Sequence, residues 1–190
     1  MHLILASASP RRAELLTSAG FRFEVRAADL DERVLPGETP HDYVRRLALE
    51  KARAVHEALG AAESDSLVLG ADTTVVVDGE MLGKPDDERE AERMLRLLSG
   101  RPHLVLTGVS VRSRRGEAGG VDQTQVFVRP LTNPDVDWYV QSGEWRDRAG
   151  GYAIQGLAGR FIPRVEGSYT NVVGLPVALV ADLIGQVSGL

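Results

Sequence analysis

The sequence predicts an α/β protein built on a mixed sheet flanked by helices. Two observations carry this expectation. Apolar, strand-like runs alternate with helix-period segments along most of the 190 residues. Two hairpin signals, Asp78-Gly79 and Arg114-Arg115-Gly116, interrupt that alternation. Helical crossovers give parallel neighbours and hairpins give antiparallel ones, so both kinds of pairing are expected in one sheet. No repeat or low-complexity segment divides the chain, and residues 1–190 are expected to form a single domain.

The elements follow in order. Residues 2 to 6 read as a buried strand. A helix over 10 to 19 has Ser9 as N-cap, Pro10 at its first position, and Leu15, Leu16 and Ala19 as an apolar stripe before Gly20. Phe21 to Arg26 alternates weakly and reads as a second strand. The acidic stretch Ala28 to Glu38 reads as a loop. Thr39, with Asp42 in the capping-box position, opens a helix that runs to Leu59 and stops at Gly60. Leu67 to Ala71 is a buried strand that ends in Asp72 and continues as β through Val77. After the Asp78-Gly79 turn and the loop Gly83-Lys84-Pro85, Asp86 and Asp87 open a helix. Its apolar face is Ala91, Met94, Leu95 and Leu98, and Gly100 closes it. His103 to Arg112 is a long strand, with Gln123 to Arg129 as its return. A helix from Asn133 to Gln141 follows. Residues 143 to 176 are glycine-rich, with a strand near Arg160 to Val165, and Pro176 to Val187 reads as the closing helix.

Composition narrows the function classes. With 43% hydrophobic and 26% charged residues the chain is globular, and its net charge of −5 opposes a broad nucleic-acid-binding surface. There are no cysteines, which removes disulfides, cysteine–zinc sites and a cysteine nucleophile. The N-terminus has no basic region before its short apolar run, and no stretch approaches the ~18 apolar residues of a membrane span. A cytoplasmic protein without membrane or nucleic-acid partners is expected.

Three placements are costly unless they serve chemistry. Arg11 and Arg12 fall in the first turn of the first helix, where the dipole disfavours cations. A phosphate at that helix N-terminus would reverse the penalty, with the hydroxyls of Ser7 and Ser9 as further donors. The plain alternative is a pair of solvent-facing arginines. Lys51 lies in the apolar stripe of Val44, Leu47, Ala48, Ala52, Val55 and Leu59, where a charge is expensive unless paired. It either snorkels along the helix edge or faces a carboxylate or phosphate. Asp72 arrives at the end of a very apolar strand, where α/β proteins collect ligand sites, and suits Mg²⁺ binding or general base work. A turn aspartate is its plain alternative. Asp31 and Glu32 offer a second carboxylate, although a solvated loop is the simpler expectation there. Lys84 in its stiff turn reads as a surface lysine when taken alone, and His103 reads as structural. The four histidines show no metal-ligand spacing.

Several motifs together resemble the Maf family. They are Ser7-Ala8-Ser9-Pro10-Arg11-Arg12, Leu49-Glu50-Lys51-Ala52, Gly70-Ala71-Asp72-Thr73, Gly83-Lys84-Pro85 and Leu98-Ser99-Gly100 with Thr107-Gly108-Val109. Gly151-Tyr152-Ala153-Ile154-Gln155-Gly156 and Gly167-Ser168-Tyr169-Thr170-Asn171-Val172-Val173-Gly174-Leu175-Pro176 complete the set, in family order along nearly the whole chain. The resemblance implies a twisted mixed sheet in two lobes with a central cleft, similar to inosine triphosphate pyrophosphatases. It also implies a house-cleaning nucleoside triphosphate pyrophosphatase that uses Mg²⁺ or Mn²⁺, releases a nucleoside monophosphate and pyrophosphate, and forms a homodimer. The family is linked with arrest of septum formation. Carried over by position, Asp72 is the catalytic acid or metal ligand, and Glu32 the metal-side acid. Ser7, Arg11, Arg12, Lys51 and Lys84 line the phosphate site. Arg12, Thr73 and Gln155 match the branch acting on dTTP and UTP, and the Gln155 amide can pair with a pyrimidine edge through donor and acceptor. A purine, inosine-type pyrophosphatase and a non-catalytic nucleotide-binding regulator of septum formation are the alternatives. Departures from the family pattern are confined to loops: Gly150-Gly151, Gly119-Gly120, and Arg148 where lysine is usual.

Overall fold

In β1 (Leu3–Ala6) all four residues are buried, as the unbroken apolar run requires. It pairs in parallel with β2 (Phe23–Val25) and with β3 (Leu67–Val77). The computed structural model describes residues 2–60, 63 and 65–189. α1 (Pro10–Ser18) and α2 (Pro40–Glu57) supply the crossovers between the parallel strands. β3 turns at Asp78-Gly79 into the antiparallel β4 (Glu80–Leu82). α3 (Glu88–Leu98) then leads to β5 (Pro102–Ser113) and β6 (Gly116–Phe127). α4 (Asn133–Ser142), β7 (Arg164–Glu166), α5 (Tyr169–Val173) and α6 (Val177–Ser188) complete the chain, with β7 antiparallel to β6. The strand order is β2-β1-β3-β5-β6-β7, with β4 on β3, so the sheet is mixed as expected.

The chain forms two compact units. The first comprises Met1–Thr73, Thr107–Asp122 and Gly174–Leu190, and the second Thr74–Leu106 and Gln123–Val173. In the first unit Leu3, Leu5, Leu67, Leu69 and Val109 pack with Leu16 of α1 and with Val180, Leu183 and Ile184 of α6. Ile4, Ala6 and Val68 pack with Ala52 and Val55 of α2. In the second unit Met94, Leu95 and Leu98 of α3 share a core with Val105, Tyr139, Trp145 and Phe161. There His103 is buried and its Nε2 lies 2.7 Å from the Tyr152 hydroxyl, a structural role as expected. Burial lowers its pKa to about 4, so it is neutral near pH 7.

α2 lies on the first unit's strands at backbone contact. A Cβ on Gly70 would come 2.1 Å from the Ala48 carbonyl oxygen and 2.7 Å from the Ala52 nitrogen. One on Gly108 would come 2.1 Å from the Val44 carbonyl oxygen. Only glycine at both positions permits that approach.

Local expectations fail at three places. Ser9 is the N-cap of α1 by backbone, but its side chain makes no capping bond. The Ser7 hydroxyl accepts from the Ser9 N–H instead, at 3.3 Å. β6 begins directly after the turn at Gly116, not at Gln123. Glycines 119 and 120 mark a close approach, not a loop, since a Cβ on Gly120 would lie 3.3 Å from the Leu179 side chain of α6. The strand expected near Arg160 to Val165 is a 3₁₀ turn over Leu157–Phe161 followed by the short β7. The turn forms because the Glu144 carboxylate takes the N–H groups of Leu157 and Ala158.

Alanine at Gly70 or Gly108 should destabilise the protein by about 3 kcal/mol or more, because the clash is with backbone and no side chain can yield. Gly116→Ala, where a Cβ meets nothing within 4 Å, should change stability by less than about 0.5 kcal/mol. Urea denaturation followed by circular dichroism measures both, and equal midpoints for all three variants would refute the contact.

Candidate active site

The arginines of the first helix turn find different environments. Arg12 is buried, while Arg11 is partly exposed. The Arg12 Nε donates to the Gly174 carbonyl at 2.9 Å, Nη1 to Ser7 Oγ at 2.9 Å and Nη2 to Thr73 Oγ1 at 3.1 Å. One guanidinium thus ties the residue after β1, a residue inside β3, and the segment leading into α6. Thr73 Oγ1 also lies 3.0 Å from Thr107 Oγ1. These bonds hold a cation where the helix dipole alone would repel it. Burial pushes the Arg12 pKa down, and Asp72 and then Glu32 draw it back up, so the group stays charged.

Lys51 does not snorkel. Its side chain is 8% exposed, and its ammonium nitrogen lies 2.7 Å from Asp72 Oδ1 and 2.7 Å from Glu32 Oε1. Helix spacing places it in the buried stripe, and the glycine-mediated contact of α2 brings it over β3 at Asp72. The Asp72 side chain is only 9% exposed, while Glu32 is 51% exposed. Burial pushes the Asp72 pKa up, opposed by the charges of Lys51 and Arg12 and by the hydrogen bond from Lys51. Two carboxylates and two cations balance in charge, which limits the cost of burying them.

Glu32 therefore departs from the solvated-loop expectation. The loop before α2 is pinned from the helix. The Tyr43 hydroxyl donates to the Glu32 carbonyl at 3.0 Å. Arg46 grips Glu38 through Nε at 2.6 Å and Nη2 at 2.9 Å, and also reaches the Arg33 carbonyl at 3.1 Å. Glu38 in turn accepts from the Leu35 N–H. Partial burial, Asp72 and Glu32 push the Tyr43 hydroxyl up to about 12, so it remains a donor at neutral pH. Asp31 pairs with Arg33 and not with Lys51, which resolves which acid of the stretch joins the cluster. Sequence reasoning missed Tyr43 and Arg46. Their only signal was helical spacing on the side of α2 next to the buried stripe.

Within the first unit these residues form two bonded sets, Ser7–Arg12–Thr73 and Glu32–Lys51–Asp72, adjacent through Asp72-Thr73 of β3 and with the Arg12 charge felt at Asp72. Lys84 and Gln155 belong to the second unit, where both are exposed. Lys84 follows β4, and Gln155 sits in the turn over 154–156.

A buried acid–lysine pair with a guanidinium nearby, set against a mixed α/β sheet, is a candidate enzyme site. The chain belongs to the Maf family: the model described as "Maf-like protein" matches residues 2–187. It is 54% identical to a dTTP/UTP pyrophosphatase of Anaeromyxobacter dehalogenans over 96% of this chain and 92% of that protein. A dTTP/UTP pyrophosphatase of a Geobacter species is 50% identical over 99% of this chain and 96% of its own length. Among solved structures, the Ham1 protein of Staphylococcus aureus superposes with a TM-score of 0.51 at 15% identity, covering 98% of this chain and 91% of that one. That likeness is one of fold.

Replacing Arg12 by methionine should lower stability by about 2–4 kcal/mol, because three oxygens lose a charged donor. In a chain of this length that is a fall in Tm of roughly 4–16 °C by calorimetry. An unchanged Tm would mean that these bonds do not hold the first unit together.

Proposed function

We propose that the chain is a metal-dependent nucleoside triphosphate pyrophosphatase acting on dTTP and UTP, with Asp72 as its catalytic base. The observation that carries this reading is the Lys51 ammonium held 2.7 Å from both the buried Asp72 and the half-exposed Glu32. Asp72, whose pKa burial raises, shares that ammonium with a second, solvent-reaching carboxylate, which supports a base there. The names of relatives about half identical to this chain support the substrate class.

Among the described residues no group of three or more His, Asp or Glu could hold a metal by itself. The pair fits one nonetheless, since a cationic nitrogen already lies between Asp72 and Glu32. Mg²⁺ is commonly held by one or two carboxylates and completed by phosphate oxygens and water. Asp72 and Glu32 would hold it, and when bound it would neutralise phosphate charge and polarise the scissile bond.

The residues of the chain supply the rest. Asp72 takes a proton from a water whose oxygen attacks the α-phosphorus. The α–β phosphoanhydride bond breaks, giving the nucleoside monophosphate and pyrophosphate. Burial strengthens Asp72 as a base, and Lys51 orients it while its charge and hydrogen bond oppose the rise in pKa. A guanidinium has five N–H groups, and Arg12 commits three to the protein, leaving two for a phosphate oxygen. Ser7, Arg11, Lys51 and Lys84 are the further phosphate ligands of this proposal. Thr73 and Gln155 select the base, and the Arg12–Thr73 bond couples phosphate grip to base selection.

Pyrophosphate release should be measured on dTTP, UTP, dCTP, dGTP and ITP with Mg²⁺ or Mn²⁺. Release from dTTP and UTP is expected, and removal of the metal with EDTA should abolish it. Asp72→Asn, which keeps an oxygen for Lys51, should lower kcat at least ~100-fold. Full turnover in that variant would end the assignment, and preference for ITP would move the protein to the purine class.

The pH–rate profile offers an independent check. Because burial raises the Asp72 pKa, the acid limb of kcat/KM should lie above the ordinary aspartate value of about 4. Lys51→Met removes a charge that lowers the Asp72 pKa, so the limb should move to still higher pH. A limb that stays in place or moves down contradicts Asp72 as the base.

A further inference from the structure

The turn that carries Gln155 is clamped at both ends by one relay, buried at Tyr139 and half-buried at Glu144. The Ala153 N–H donates to the Tyr139 hydroxyl at 3.1 Å, and that hydroxyl donates to Glu144 Oε2 at 2.9 Å. The same carboxylate accepts the Leu157 N–H at 2.9 and 3.0 Å through its two oxygens, and the Ala158 N–H at 3.4 Å. Ala153 before Gln155, and Leu157 and Ala158 after it, are thereby tied to one Tyr139–Glu144 unit. The Gly156 N–H closes the turn onto the Ala153 carbonyl at 3.1 Å.

The anchor is rigid while the residue it carries is exposed. Tyr139 is fully buried, its ring packing edge-on against Phe161 with centroids 6.0 Å apart. Burial and the neighbouring Glu144 push its hydroxyl pKa up, so it donates at any physiological pH. Gly156 is fitted to the carboxylate, since a Cβ there would come 2.0 Å from Glu144 Oε1. Gln155 meets solvent from this frame. An exposed amide has several rotamers and little discrimination unless its backbone is fixed.

We propose that Glu144 and Tyr139 are positioning residues for base discrimination: they hold the 153–157 turn so that the Gln155 amide presents donor and acceptor in one orientation. This inference rests on the reading of Gln155 as a base-selecting residue. Glu144 touches no substrate in it. Its effect passes through Gln155, so losing the clamp should alter selectivity between bases more than it alters the chemical step.

The test is the ratio of kcat/KM for dTTP to that for dCTP, a pyrimidine with the opposite donor and acceptor pattern on its exocyclic edge. It is measured for the wild type, Glu144→Ala, Glu144→Gln, Tyr139→Phe and Gln155→Ala. Glu144→Ala should lower the ratio at least tenfold, chiefly by raising KM for dTTP. Glu144→Gln, which keeps an acceptor for Leu157, should recover part of it. Tyr139→Phe, which frees only the Ala153 end, should fall between. The double variant Glu144→Ala/Gln155→Ala should be no less selective than Gln155→Ala alone. If Glu144→Ala does not fold, Glu144→Gln and Tyr139→Phe carry the comparison. A ratio unchanged in the clamp variants, or losses that multiply in the double variant, overturns the clamp. If Gln155→Ala itself keeps the wild-type ratio, the base-selecting reading fails and the clamp proposal falls with it. If Gln155→Ala loses the ratio and the clamp variants keep it, the clamp alone is wrong.

Discussion

The backbone contact between α2 and strands β3 and β5 is the constraint on which the site depends. Gly70 and Gly108 let the helix lie where any side chain on those strands would strike its carbonyls. At that distance Lys51, in the buried stripe of the helix, meets Asp72 at the strand. An isolated ammonium in that stripe would cost several kcal/mol, and so would an isolated carboxylate. Each makes the other tolerable, and both depend on the helix being close.

Charge balance then sets the chemistry. Asp72 and Glu32 face Lys51, with Arg12 near enough to Asp72 for its charge to be felt. Since Asp72 is buried and Glu32 half-exposed, the two acids are unequal. Burial raises the pKa of one, and the other reaches solvent. This inequality is imposed by Tyr43 and Arg46, which pin the loop of Glu32 by its backbone carbonyls and by Glu38. Val34 and Leu35 of this loop stay exposed, and the polar anchors hold it to α2.

The second unit uses the same device. Tyr139 and Glu144 fix a turn through its backbone N–H groups and leave the Gln155 side chain exposed. In both units helix side chains, Tyr43 and Arg46 in the first and Tyr139 in the second, hold a loop through main-chain atoms. The side chain displayed by such a loop can vary without loss of the fold.

Elements with strong local signals were legible in the sequence. Thr39 caps the helix that follows it and Asp87 the next, because the capping bond spans only three residues. Lys51 stood out as a charge in an apolar stripe, and Asp72 as an acid at the end of an apolar strand. The motifs of the Maf family placed both in one class of site. The partners were not legible. That Lys51 meets Asp72 depends on two glycines in different strands, and that Glu32 joins them depends on Tyr43 and Arg46. That Arg12 turns inward depends on Gly174, 162 residues away. The Glu144 clamp likewise turned an expected strand into a 3₁₀ turn. Sequence determined which residues were costly to place, because burial and helix period are local properties. Only the tertiary structure decided what compensates them, because charges and hydrogen bonds are satisfied across space by residues far apart in the chain.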